Sequence, residues 1–261
     1  MSLDAFRDDL ADACAAVGTG RFDALFVFAD LRGLAVKYDL AADPGAMLDA
    51  LFGELSAGDR TVIINTFSYT SEGRFDVLST PSKLGAVSKY VMRRPDAVRS
   101  DHPLFSHAAF GPDAERLRNI GKAAFGHQSA YMRFMNRKAG CLHVGRPVEQ
   151  GDTMIHFVEQ MCGATYRFNK AFRTEVWRGE EYVGTDYSAF LRRLDVPGHD
   201  FVAACRPVTD LFERNGLTRQ VGDPSRLTGI ALYSYDDAID AMGEAFYRDP
   251  SFFITTPFIQ Y

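Results

Sequence analysis

Ala24-Leu25-Phe26-Val27-Phe28 is five consecutive apolar residues, and its reading decides the fold. A short run that is apolar at both odd and even positions matches a strand covered on both faces. Downstream, Asp43-Pro44 supplies an N-cap followed by proline at the first helical position. Met47, Leu48, Leu51, Phe52 and Leu55 then recur at helical spacing, with Gly58 beyond the helix end. Thr61-Val62-Ile63-Ile64-Asn65 is a second buried strand. Strand, helix, strand predicts a parallel, right-handed crossover.

Working outward, Ser2 caps a helix whose apolar positions are Leu3, Phe6, Leu10, Cys14 and Val17, ended by Gly18 and Gly20. Residues 66–112 hold little regular structure beyond a helix over Gly85–Arg94, and loops this long in a compact domain usually carry function. A helix over Ser129–Lys138 leads into a strand at Cys141–Gly145. Thr165–Phe172, Thr174–Trp177 and Tyr187–Leu194 read as strands, with Arg178-Gly179-Glu180-Glu181 as a turn. The periodic stretch Phe201–Asn215 is broken or kinked at Pro207, and a strand at Ile230–Tyr233 precedes a helix over Asp236–Tyr247. With no repeat and no linker rich in Pro, Gly or Ser, one domain over 1–261 is expected: α/β, a three-layer αβα sandwich around a mixed, largely parallel sheet.

A formal charge of −5 and a pI near 5.7 argue against nucleic acid as a partner. Cys14, Cys141, Cys162 and Cys205 are widely spaced and read as free thiols in a reducing compartment. The start, Met1-Ser2-Leu3-Asp4, is not a signal peptide, and no apolar run reaches the ~20 residues of a membrane span, so a cytoplasmic protein with no membrane partner is expected. His102, His107, His127, His143, His156 and His199 show no zinc-ligand spacing, so no metal is expected. GxSxG, GxGxxG and Walker A patterns are absent.

What remains is Gly151-Asp152-Thr153-Met154-Ile155-His156-Phe157-Val158-Glu159, following the strand at Cys141–Gly145. Thr153, His156 and Glu159 stand at successive i, i+3 steps and share one side of a helix over about 9 Å. Ligands in open α/β sheets bind at such strand ends. A neutral imidazole, with an unperturbed pKa of about 6.5, can take the proton an attacking amine loses. A carboxylate one turn away fixes its tautomer, and Thr153 either assists a developing oxyanion or simply caps the helix. An ordinary His–Glu pair is the competing reading. Thr80-Pro81-Ser82-Lys83-Leu84-Gly85 reads as a phosphate or pantetheine contact, or as a capped loop. Arg99 and His102 either line a site or hold their own loop together.

Taken in order, Ser79–Gly85, Arg94-Pro95, Arg99-Ser100, His102-Pro103, Ser106, Phe125-Gly126, Ser129-Ala130-Tyr131, Gly145, the TxxHxxE of Thr153, His156 and Glu159, and Tyr166-Arg167-Phe168-Asn169-Lys170-Ala171-Phe172 resemble the aminoglycoside 3-N-acetyltransferase family. The resemblance runs from about Phe26 to the last helix. It implies a single αβα domain, unrelated to GNAT-type acetyltransferases, that moves an acetyl group from acetyl-CoA directly to an amino group of an aminoglycoside or other amino sugar. It implies His156 as base, Glu159 as its partner and Thr153 as stabiliser of the tetrahedral intermediate. Thr80, Ser82, Lys83, Gly85 and Ser106 become expected coenzyme A contacts; Asp30, Arg99 and His102 become expected acceptor contacts.

One departure stands out: Phe28-Ala29-Asp30 replaces the His-Ser-Ser or His-Ser-Asp usual after the first strand, leaving Asp30 to hold an acceptor ammonium. It keeps open a non-catalytic CoA- or sugar-binding relative, or a glycan or metabolite acyltransferase with another acyl donor. A hydrolase using His156 and Glu159 on water is a third reading. The expected partners are a small-molecule amine and, at most, a second copy of the chain as a homodimer.

Overall fold

The structure is a computed structural model that describes residues 2–150, 153–196, 205–223 and 228–255. Its helices are α1 (Leu3–Val17), α2 (Arg32–Tyr38), α3 (Pro44–Ser56), α4 (Ala86–Val91), α5 (Ala130–Arg133), α6 (Met154–Cys162), α7 (Cys205–Arg214) and α8 (Tyr235–Arg248). The first strands are β1 (Ala24–Ala29), β2 (Thr61–Asn65), β3 (Arg74–Asp76), β4 (Val98–Arg99), β5 (His107–Phe110) and β6 (Ala139–Val144). They are followed by β7 (Arg167–Phe172), β8 (Glu175–Arg178), β9 (Glu181–Gly184), β10 (Tyr187–Arg192), β11 (Arg219–Val221) and β12 (Ile230–Ser234).

Seven strands form one sheet in the order β11-β12-β6-β1-β2-β5-β4. β1 lies at its centre, parallel to both β2 and β6. Its continuous apolar run is explained by two cores. Leu25 and Val27 join Val62, Ile64, Leu51 and Phe52 under α1 and α3, while Phe26 enters the opposite layer. There its ring stacks at 5.9 Å on Tyr131 and 5.0 Å on Tyr235. Burying a large side chain contributes roughly 1.5–3 kcal/mol, so each face of β1 anchors one helical layer. Helices therefore cover both faces of a mixed sheet.

The parallel part is narrower than the largely parallel sheet expected. Among the described residues of this sheet, β6-β1-β2 run parallel, while β2–β5, β5–β4, β6–β12 and β12–β11 are antiparallel. The outer strands enter as antiparallel pairs, which need no helical crossover.

Caps read from the sequence are in place. The Ser2 hydroxyl accepts from Ala5 N at 3.3 Å and the Asp43 carboxylate from Ala46 N at 3.0 Å, while Gly18 ends α1 at φ 84°. Other boundaries move. The helix expected over Ser129–Lys138 is a single turn, because Asn136 and Lys138 adopt positive φ as the chain bends into β6. Pro207 sits in the first turn of α7, where its missing N–H costs little. Gly151, Asp152, His199 and residues 201–204 lie outside the described residues. β7 and β10 form a separate antiparallel pair, and β3, β8 and β9 a three-stranded sheet. Among the described residues no helix is long and apolar enough to cross a membrane, and all four cysteines are free thiols.

Candidate active site

Helix α6 begins beyond the carboxyl end of β6 and buries Met154, Ile155, Phe157 and Val158. The same helical phase turns Glu159 fully inward, at 0% exposure, and leaves the His156 side chain 25% exposed. His156 Nδ1 donates to Glu159 Oε2 at 2.8 Å. A ring nitrogen facing a carboxylate carries the proton in the neutral tautomer, so the lone pair resides on Nε2. Thr153 precedes the helix with no side-chain hydrogen bond capping it. Gly163, at φ 77°, ends the helix and turns the chain toward β7.

A buried carboxylate needs a cation, and Arg167 on β7 supplies it, with Nε 2.6 Å from Glu159 Oε2. Arg167 also donates to Phe190 O at 3.4 Å. The adjacent Tyr166 is buried; burial first, then the Glu159 charge and a hydrogen bond to it, hold its hydroxyl well above the usual phenol range. One carboxylate oxygen thus accepts a hydrogen bond from an imidazole and forms an ion pair with a guanidinium. The His156 ring lies edge-on to Phe125, with centroids 5.4 Å apart.

Two clefts meet beside this cluster. The first, of about 560 Å³, lies over the carboxyl ends of β1 and β2 against α2, α3 and the start of α4; Asp30, Met47, Leu48, Gly85, Val87 and Ser88 help line it. The second, of about 610 Å³, is lined by Thr153, His156 and Arg167 together with rings that include Phe67, Phe105 and Phe125. Phe28, Asn65, Arg146 and Gln150 border both. Two ligands can therefore approach from different directions and meet at the border the clefts share.

The model of the aminoglycoside 3-N-acetyltransferase family matches residues 62–244, well over half of the chain. The chain belongs to this family. Acetyl-CoA is the acetyl donor of the family. Solved structures of similar fold include apo aminoglycoside acetyltransferase AAC(3)-IVa, at 21% identity over 96% of this chain and 92% of that one with a TM-score of 0.74. AAC-IIIb in its binary complex with CoASH is 20% identical over 96% and 98% of the two chains, with a TM-score of 0.72. The YokD protein of Bacillus subtilis is 18% identical over 94% of each, with a TM-score of 0.71. Among curated proteins no match was found.

Of the acetyltransferase-type residues expected to touch coenzyme A, only Gly85 lines the first cleft, and a Cβ there would meet nothing within 4 Å. The others hold the loop that presents it. Ser82 is buried; its hydroxyl donates to Phe67 O at 3.1 Å and accepts from Leu84 N at 3.1 Å. Thr80 Oγ1 accepts from Asp76 N at 2.7 Å. Lys83 is exposed, its backbone N–H on Phe67 O at 2.8 Å. Ser106 is buried and donates to Thr66 O at 2.8 Å.

The residues expected at the acceptor are dispersed too. Asp30 lines the first cleft rather than the one beside His156, and Arg32 contacts its carboxylate at 2.5 Å. The Arg32 hydrogen bond holds Asp30 below the usual carboxylate range. Arg99 and His102 line neither cleft. Arg99 donates to Thr80 O at 2.6 Å, Thr66 O at 2.9 Å, Ser106 Oγ at 3.1 Å and Val77 O at 3.3 Å. His102 Nδ1 accepts from Phe105 N at 3.1 Å and Leu104 N at 3.2 Å, and Nε2–H donates to Ser188 O at 3.0 Å. Burial lowers His102 to about 4, so the ring is neutral. Of the two readings offered for this loop, the hydrogen bonds are those of a loop holding its own backbone.

Sequence reasoning gave no role to Arg167, Arg146, Asn65, Gln150 or Ser88. Arg167 stood inside the Tyr166–Phe172 motif, eight residues from Glu159, and a basic residue just beyond a helix-ending glycine was the available signal. Among the described residues no group of three or more His, Cys, Asp or Glu is placed to hold a metal ion.

Proposed function

We propose that the chain is a CoA-dependent N-acyltransferase in which His156 is the general base for direct transfer to an amine of an amino sugar or related acceptor. The observation that carries this reading is the Nδ1-to-Glu159 hydrogen bond of 2.8 Å on a histidine that borders a cleft. The donor fits the first cleft, whose apolar walls at Met47, Leu48 and Val87 suit a pantetheine arm and whose Gly85 leaves open space. Acetyl-CoA supplies the activated acyl group as a thioester.

The chain's own residues do the rest. His156 Nε2 accepts a proton from the attacking nitrogen, while Glu159 steadies the imidazolium that forms. Arg167 pairs with Glu159 and helps hold the carboxylate toward the imidazole. Thr153, whose side chain makes no capping hydrogen bond to the helix, serves as a donor to the acyl oxygen as charge develops there. Arg99, His102 and Ser106 act at a distance by fixing the loop between the clefts. Asp30, paired with Arg32, belongs to the donor side in this reading. A cytoplasmic protein acting as one domain is consistent with it, and a homodimer is compatible.

Thiol release from acetyl-CoA, followed with a panel of amines, tests the function. Release that requires an amine is expected. Release independent of amine would indicate hydrolysis, and tight CoA binding without turnover of any amine would indicate a non-catalytic relative, the reading to which Phe28-Ala29 points.

A further inference from the structure

The second cleft contains a feature that proton transfer does not use. A chain of rings runs from its rim to the base: Tyr69 to Phe105 at 5.8 Å, Phe105 to Phe125 at 5.0 Å, and Phe125 to His156 at 5.4 Å. Phe67 braces the outer end, 5.9 Å from Tyr69 and 5.2 Å from Phe105. All of them line the cleft.

Tyr69 is the unusual member. Its φ is +52°, a left-handed backbone that bulky side chains avoid. Burial does not explain the strain, because Tyr69 is 45% exposed. The surroundings nevertheless impose it. Tyr69 N donates to Leu104 O at 3.2 Å and Thr70 N to Pro103 O at 3.1 Å, and Ser68 Oγ donates to Pro103 O at 2.5 Å. Across from it, His102 pins the amides of Leu104 and Phe105. Strained residues that the fold over-determines cluster at ligand clamps. Much of the loop's polar machinery thus serves to hold two rings, Tyr69 and Phe105, over the cleft.

We propose that this wall is an acceptor subsite for amines carried beside an aromatic or deoxygenated ring, with the amine at His156 and the ring face packed on Phe105 and Tyr69. The inference rests on the acyltransferase reading of the same cleft. Offset and edge-on aromatic contacts reward a flat or CH-rich face, and Tyr69 adds a hydroxyl at the wet rim. A strongly hydroxylated polycation gains little from such a wall.

The test compares glucosamine with its phenyl glycoside as acceptors of acetyl-CoA. The wild-type protein should show a KM at least tenfold lower for the phenyl glycoside. In Tyr69→Ala that ratio should fall toward one, with the loss in KM rather than kcat, and Tyr69→Phe should retain most of it. Tyr69→Gly, which relieves the left-handed strain, should unfold no earlier than wild type, so a folding defect is separable. Equal KM values in wild type, or a ratio that survives Tyr69→Ala, would overturn the proposal. A rise in the KM for acetyl-CoA with the ratio unmoved would also overturn it, assigning the wall to the donor. Calorimetric binding of the two amines to His156→Ala separates the two readings. A retained binding preference without turnover of any amine by wild type would sink the acyltransferase reading and leave the wall standing.

Discussion

The loop 66–106 and the segment 153–167 hold the same kinds of side chain and use them in opposite ways. In the loop, Arg99 has four acceptors and His102 three partners, and all but one of these contacts go to backbone. In the segment, His156 and Arg167 both turn to Glu159, and the two of them line a cleft. An arginine or histidine surrounded by backbone carbonyls and amides is a fastener; a partly exposed histidine held by a buried carboxylate is available for chemistry. The types alone do not separate these roles. Their partners do.

If that contrast is right, breaking each cluster should leave a different signature. The largest stability effect is expected for Arg167→Met, which strands the buried Glu159 charge at a cost of about 3–5 kcal/mol. Adding Glu159→Gln should recover much of that loss in urea unfolding without restoring turnover. If the single variant is as stable as wild type, the ion pair does not neutralise Glu159. Arg99→Ala should cost about 3 kcal/mol, since several buried carbonyls lose their donor. Here surviving folded protein should keep a normal kcat, with altered KM for the coenzyme; a loss of kcat in well-folded protein would return Arg99 to the site.

Three buried histidines add a contribution that depends on pH. Burial lowers His102 to about 4, and His107 and His143 to about 3, from an ordinary 6.5. Below 6.5 the unfolded chain takes up protons that the folded chain refuses. Stability is therefore full above about pH 6.5 and falls as pH drops toward 4 and 3, by about 1.4 kcal/mol per pH unit for each ring. Chemical unfolding at pH 7 and pH 5 measures the slope, and His102→Asn should reduce it by about a third. The smallest effect is expected for Lys83→Ala, whose exposed side chain should leave stability within about 0.5 kcal/mol. A large change in coenzyme affinity for that variant would show that the exposed amine, and not only the loop backbone, meets the donor.

The central strands were legible because burial on both faces writes itself as an unbroken apolar run in β1 and β2. Short caps were legible for a similar reason: Ser2 and Asp43 act within three residues. The strand His107–Phe110 was not, because His-Ala-Ala-Phe has little strand character and is held extended by pairing with β2 and β4. At the site, the His156–Glu159 spacing is local and could be read. The Glu159–Arg167 pair depends on the Gly163 turn folding β7 back onto α6, which no spacing rule reports. Nor does the sequence distinguish Asp30 facing a neighbouring arginine from Asp30 facing a ligand.

The claim at the centre is that His156 takes the proton. Amine-dependent thiol release by His156→Ala, measured against wild type with unfolding temperature as a control, addresses it most directly. A loss of about 10²- to 10⁴-fold in turnover with the fold intact is expected. Full turnover by a folded His156→Ala protein would contradict it.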